Sequence, residues 1–250
     1  MKQFSTWATA AVLTVGVVAL TACGSSKSTS TKTPTASGAG GATSASQQAP
    51  TSASAAPATP LSAIVLQAAD LPSTFTKAPA QAEDANDAVE QANVATCAGV
   101  KSTASDKLES AKSSFDLGDS GISSDASRFK SASDIASDVK MLHSPRIDQC
   151  LQESARRTIA KGMPAGAKVD NITVHVTHGS SGGPSNVVAL AQGTVTVTIS
   201  GQTVKVYTTA AFITGPRIEA EVDVTGVGAP LPAATQRQAI DAVAARAAKG

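Results

Sequence analysis

The chain has 250 residues, 42% of them hydrophobic but only 3% aromatic, and 20 Lys and Arg almost cancel 19 Asp and Glu for a formal charge of +1. No basic patch marks it as a nucleic-acid binder, and so few aromatic rings argue against a stacking platform for bases or sugars. Lys2, Lys27 and Lys32 precede Leu61, so the stretch from Leu61 to Gly250 carries 17 basic and 19 acidic side chains, a balance of −2.

Lys2 and the apolar stretch from Ala8 to Leu20 have the layout of a secretory signal peptide. The stretch is short for a membrane span, which needs about 20 apolar residues. It closes on Leu20-Thr21-Ala22-Cys23-Gly24, which resembles the cleavage site of bacterial lipoproteins. That resemblance implies removal of residues 1–22, acylation of Cys23 (palmitate or a similar chain) and attachment to the outer side of the cell membrane. Two or more acyl chains anchor stably where one would be marginal.

From Gly24 to Pro60 the chain is almost wholly Ser, Thr, Ala, Gly, Pro and Gln. Such a segment buries too little apolar surface to offset its ordering entropy, so 23–60 is expected to be a lipidated, disordered linker. It would hold the C-terminal domain about 30–35 Å from the membrane on average. It is a plain spacer or one O-glycosylated on Thr.

The stretch 61–250 has the length of one domain. Leu61, Ile64, Val65 and Ala68 recur at helical spacing until Pro72. A second helix is expected over 83–96, with acids in its first turn. Residues 115–131, rich in Gly, Ser and Asp, read as a loop ending in a short strand near Ala126–Phe129. Ile135, Val139 and Leu142 form a short amphipathic helix. Ser144-Pro145 then caps and starts another that runs to Lys161, with Ile147, Cys150, Leu151, Ser154 and Thr158 on one face.

Alternation predicts four strands in the second half: around Ile172–Val176, Val187–Ser200, Thr203–Thr214 and Arg217–Thr225. Ser200-Gly201 reads as a tight hairpin turn. A closing helix spans Ala233–Ala248. The expected class is α+β: an antiparallel meander of about four to five strands with helices packed on one face. The other face should be wet. It would carry Thr173, His175, Thr196, Lys205, Tyr207, Thr209, Glu219 and Glu221. Of the three cysteines, Cys97 and Cys150 remain after Cys23, and in an exported chain they read as a disulfide.

A cysteine after the first helices, a Ser-Arg-Phe strand, Ser131-Ala132-Ser133-Asp134 opening a helix, then Leu142, Ser144-Pro145 and Cys150-Leu151 precede the meander and final helix. This pattern resembles small secreted domains of actinobacterial lipoproteins. It is similar to the extracellular sensor domain of PknH-type receptor kinases, and more loosely to LpqN-type lipoproteins, over about Ile64 to Gly250. The resemblance implies a sensor-like domain that takes an unidentified small ligand in a cleft, without assigning residues.

No catalytic constellation is expected. His175 and His178 lie an odd number of residues apart on a strand and point to opposite faces, and His143 sits at a helix end. No G-x-S-x-G elbow occurs. The glycine-rich loop after His178 joins two strands instead of opening a helix. Glu219 and Glu221, with Asp223, read as a solvated strand edge. No metal, cofactor or nucleic acid is implied. Two functions stay open. One is a non-enzymatic ligand-binding or sensor-like domain, favoured by a deep apolar pocket along Ile172, Val174, Val195 and Phe212. The other is an envelope interaction protein docking on a protein partner or cell-wall polymer through a flat sheet face around His175, Lys205 and Tyr207.

Overall fold

Ser200 and Gly201 adopt φ of 50° and 80° between Ile199 and Gln202, the left-handed pair that a two-residue hairpin of this twist requires. Turns of this kind build the sheet. The structure is a computed structural model that describes residues 59–79, 87–163, 166–179 and 183–250. The expected signal peptide, Cys23, the linker to residue 58, the start of the 83–96 helix and part of the glycine loop lie outside them.

Among the described residues, one antiparallel sheet contains β1 (Thr76–Lys77), β2 (Lys107–Leu117), β3 (Ser120–Phe129), β4 (Lys168–His178), β5 (Val187–Ile199), β6 (Gln202–Gly215) and β7 (Ile218–Val227), in the order β1-β2-β3-β7-β6-β5-β4. The helices are α1 (Asp87–Ala98), α2 (Ala132–Leu142), α3 (Ile147–Gly162) and α4 (Ala233–Ala247). The class is α+β, and β4 to β7 form the expected four-strand meander.

The sheet is larger than four to five strands because residues 107–129 form a hairpin, not a loop. It turns at Gly118 (φ 60°) and pairs serine with serine across the strands: Ser113 with Ser124, Ser114 with Ser123. Its serines do work that apolar residues do elsewhere. The Leu66 N–H donates to Ser124 Oγ at 2.7 Å, and Ser113 Oγ donates to the Leu66 carbonyl at 2.8 Å. The segment docked by these bonds is not the helix expected over 61–71. It is two short 3-10 turns, Leu61–Ala63 and Ala68–Asp70, separated by extended Gln67. Ile64, Val65 and Leu66 are all buried. Three consecutive buried side chains do not fit one helical stripe, so burial overrides the local preference.

Helices cover both faces, which corrects the expectation of one. On the first face, α4 and the two 3-10 turns pack on Phe115, Ile122, Ala211, Ile213, Ala220, Val222 and Val224. Gly215 permits this contact, since a Cβ there would stand 2.1 Å from the Ala247 carbonyl oxygen. Arg246 of α4 clamps the N-terminal segment, donating to the Ile64 and Val65 carbonyls and to both oxygens of Asp70. On the second face, α1, α2 and α3 pack on Val176, Ala189, Ala191, Ala210 and Phe212. Farther along α3, Ile159 meets Ile172, Val195, Val197 and Val206. In α3 it is Ile159, not Thr158, that is buried, and in α2 it is Asp138, not Val139.

Cys97 at the end of α1 is bonded to Cys150 on α3, with Cα atoms 5.7 Å apart, as expected. Beside this bridge α3 also runs along β4, the last strand of the sheet. Asp148 accepts from the Val176 N–H at 2.9 Å, and Gln152 donates to the Val174 carbonyl at 3.3 Å.

Candidate functional site

Strand parity and register assemble two polar sites on opposite faces. The first is the uncovered part of the first face, over β4, β5 and β6. Its cross-strand rows are Lys168–Thr198–Thr203, Asn171–Thr196–Lys205, Thr173–Thr194–Tyr207 and His175–Gln192–Thr209. His175 and Lys205 are exposed and Tyr207 is half-buried. The three residues expected to share a face do so. His175 Nδ1 lies 3.1 Å from Asp148 Oδ2, so its ring leans over the β4 edge. Asp170 accepts from Thr198 Oγ1 at 2.6 Å and pairs with Lys168 at 3.3 Å. Thr198 and Thr203 hydroxyls are in contact, and Thr173 donates to the Thr194 carbonyl. The side chains of Gln192, Thr194, Thr196, Lys205, Tyr207 and Thr209 have no hydrogen-bond or ionic partner among the described residues.

Glu219 and Glu221 do not belong to that face, nor are they solvated. They project from β7 to the second face and are 7% and 5% exposed. β7 is the middle strand of seven, with α4 over one face and α2 over the other, so both of its parities are buried. Glu221 stands beside Asp125 of β3, which stands beside Lys112 of β2, and Asp223 follows along the strand. From α2, Asp138 reaches the carboxyl of Glu219, and the single Thr103 hydroxyl donates a bond shared between the two Asp138 oxygens, at 2.8 and 2.7 Å. Ser127 Oγ donates to Asp125 at 3.0 Å. The Lys107 ammonium, its side chain buried, lies 4.0 Å from Asp125.

Five carboxyls here face two lysines. Burial raises Asp138 to about 6, against the hydrogen bonds from Thr103 and Glu219. Burial raises Asp223 to about 7, against its bond with Glu221. Glu219 and Glu221 are pushed well above the usual range by burial first, and then by the charges of Asp138 and Asp223 respectively. The arrangement is therefore two carboxyl–carboxylate pairs, Glu219 with Asp138 and Glu221 with Asp223, each sharing one proton because both members cannot ionise in a dry site. One oxygen of each glutamate makes no hydrogen bond among the described residues, as a neutral acid tolerates better than an anion. No group of three or more His, Cys, Asp or Glu among the described residues is disposed to hold a metal ion.

His178 points to the second face, as its parity requires, and its ring stacks on that of His143 at 4.3 Å between centroids. The sequence contained no local sign of this contact, since it depends on where α2 ends relative to β4. Comparisons of the chain with protein-family profiles, curated proteins and solved structures return no match.

Proposed function

We propose that this is a cell-envelope lipoprotein, anchored through acylated Cys23, whose domain works as a non-enzymatic docking module through the sheet face around His175, Lys205 and Tyr207. The observation that supports this reading over a buried ligand cleft is the contrast between the two faces of β4–β6. Ile172, Val195 and Phe212 are packed beneath α3 as filled core, whereas on the opposite parity, among the described residues, the side chains of Gln192, Thr194, Thr196, Lys205, Tyr207 and Thr209 are unengaged.

Two measurements test it. Cys23→Ser should move the protein out of the membrane fraction and abolish labelling by a fatty-acid analogue; continued labelling rejects the anchor. A photo-crosslinking residue at position 207, in cells, should capture an envelope component that the same residue at exposed position 108 of β2 does not. Equal capture at both positions rejects the face.

A sensor-like role, in keeping with the resemblance to kinase sensor domains, has a separate support: Asp138 of α2, set against the buried Glu219 carboxyl, is raised to about 6. Such a domain would report acidification of its surroundings through the seating of α2. If hydrogen exchange of α2 is the same at pH 5 and pH 8, this second reading is lost.

A further inference from the structure

The chemistry of the uncovered face narrows what can lie on it. Along each strand the outward residues repeat every second position, about 6.6 Å, and neighbouring strands stand about 4.8 Å apart. On this grid β5 contributes Thr194, Thr196 and Thr198, and β4 and β6 contribute Thr173, Thr203 and Thr209. The hydroxyls of Thr194, Thr196 and Thr209 are unengaged among the described residues. Within this array stand one cation without an ionic partner, Lys205, and the sole tyrosine of the chain, Tyr207. None of the strand residues in these rows is acidic; Asp170, at the bulge in β4, is already held by Lys168 and Thr198, and Asp148 comes from α3 to His175.

A protein partner is a poor match. Protein interfaces are centred on aromatic and apolar anchors in desolvated pockets. The large hydrophobic side chains that are exposed here, Val89, Leu108 and Val227, belong to α1, β2 and the end of β7, none of them in these rows. A flat array of hydroxyl and amide groups instead matches a polymer that itself presents hydroxyls at short, regular intervals. An unpaired ammonium set among them matches a carboxylate on that polymer. The inter-strand spacing is close to the advance of an extended glycan chain per sugar, so successive units can meet successive strands.

We propose that the β4–β6 face binds an extended polysaccharide bearing carboxylate groups. Hydroxyls of Thr194, Thr196 and Thr209 exchange hydrogen bonds with the sugar hydroxyls, Lys205 takes a carboxylate, and Tyr207 lies against a sugar ring. Recognition runs through the hydroxyl array, with a single ring assisting it, so affinity for one sugar is weak and the repeats of the polymer supply avidity. This proposal rests on the docking reading above and names its partner class.

The test is affinity electrophoresis of the Cys23→Ser chain in gels containing polygalacturonate or its methyl ester, which has the same backbone without the charge. Retardation by polygalacturonate, weakened at least five-fold in the ester, is expected. Lys205→Gln should bring binding to polygalacturonate down to that of the ester. The paired, nearly isosteric Thr194→Val and Thr196→Val should weaken binding to both polymers by at least five-fold. Lys77→Gln, on β1, should change neither, and unchanged melting temperatures establish that the variants are folded. No retardation by polygalacturonate, or retardation lost equally in Lys77→Gln, overturns the proposal. If crosslinking at position 207 then still captures an envelope protein, the docking face stands and only its glycan partner falls. If position 207 is silent as well, both fall.

Discussion

Glu219 keeps a proton that a surface glutamate loses, first because it is buried and then because Asp138 lies beside it. A Glu219→Gln substitution retains the shape and a donor for Asp138 while removing the titrating group. At about pH 3, where the wild-type acid is neutral both in the fold and in the unfolded chain, the variant should be about as stable as wild type. At pH 8 it should be more stable, because wild type alone must hold a proton that its unfolded chain has released. Chemical denaturation at the two pH values reads the difference; a variant less stable at pH 8 removes the proton-sharing pair from the account. At residue scale, whatever depended on covalent or local chemistry could be read from sequence: the Cys97–Cys150 bond, the Ser200-Gly201 turn, the shared parity of His175, Lys205 and Tyr207. Glu219 and Glu221 could not, since alternation shows that two sets of side chains oppose each other but not which set is dry. That depends on α2 lying over β7, a contact between segments about 80 residues apart in the chain. Arg217 was equally hidden: it holds φ of 60° in the β6–β7 turn, where glycine is favoured, and both Nε and Nη2 donate to the Phe129 carbonyl.

Between elements, two fasteners dominate. The disulfide ties α1 to α3 across a separation of 53 residues. In the chain-entropy model, removing a closure of that length costs about 4 kcal/mol, and a Cys97→Ser, Cys150→Ser pair should melt on the order of 10 °C lower in a domain of this size. An unchanged melting temperature means that α1 packing alone suffices. The second fastener is Arg246 of α4 on Asp70. Burial alone would raise Asp70, but the bonds from Arg246 and from the Gln67 N–H hold it below its usual range. Arg246→Ala should cost about 2–3 kcal/mol. It should also erase the share of stability that wild type loses as acid protonates Asp70. An acid limb identical to wild type contradicts the clamp. Helices α2, α3 and α4 and the meander were legible because their apolar periods are regular. The β2–β3 hairpin was not, because its buried side is built partly from hydrogen-bonded serines that look like loop residues.

For the whole molecule these titrations act in opposite windows. Asp138, Glu219, Glu221 and Asp223 have raised values in the fold, so their favourable contribution is complete below pH 4 and declines as pH rises through about 6 to 7 and beyond. Asp70, Glu90 and Asp170 have lowered values, so theirs is lost only as pH falls below about 4. Thermal stability should therefore peak between pH 4 and 5 and decline toward pH 8. A maximum at pH 7 or above contradicts the burial of the carboxyl pairs.

With the anchor proposed at Cys23, copies would be crowded into two dimensions, and the cover that Asp148 and Gln152 place on β4 bears on how they would meet. A bare outer strand invites a neighbour's strand to add to it, and many copies could then zip into ribbons. Here the Val176 N–H and Val174 carbonyl are already taken by α3, so crowding brings the molecules together without joining them at this edge. The double change Asp148→Ala and Gln152→Ala should free the strand, and light scattering should show concentration-dependent self-association in the variant that wild type lacks. The broad side of the sheet is then what the proposed partner would meet, one molecule at a time.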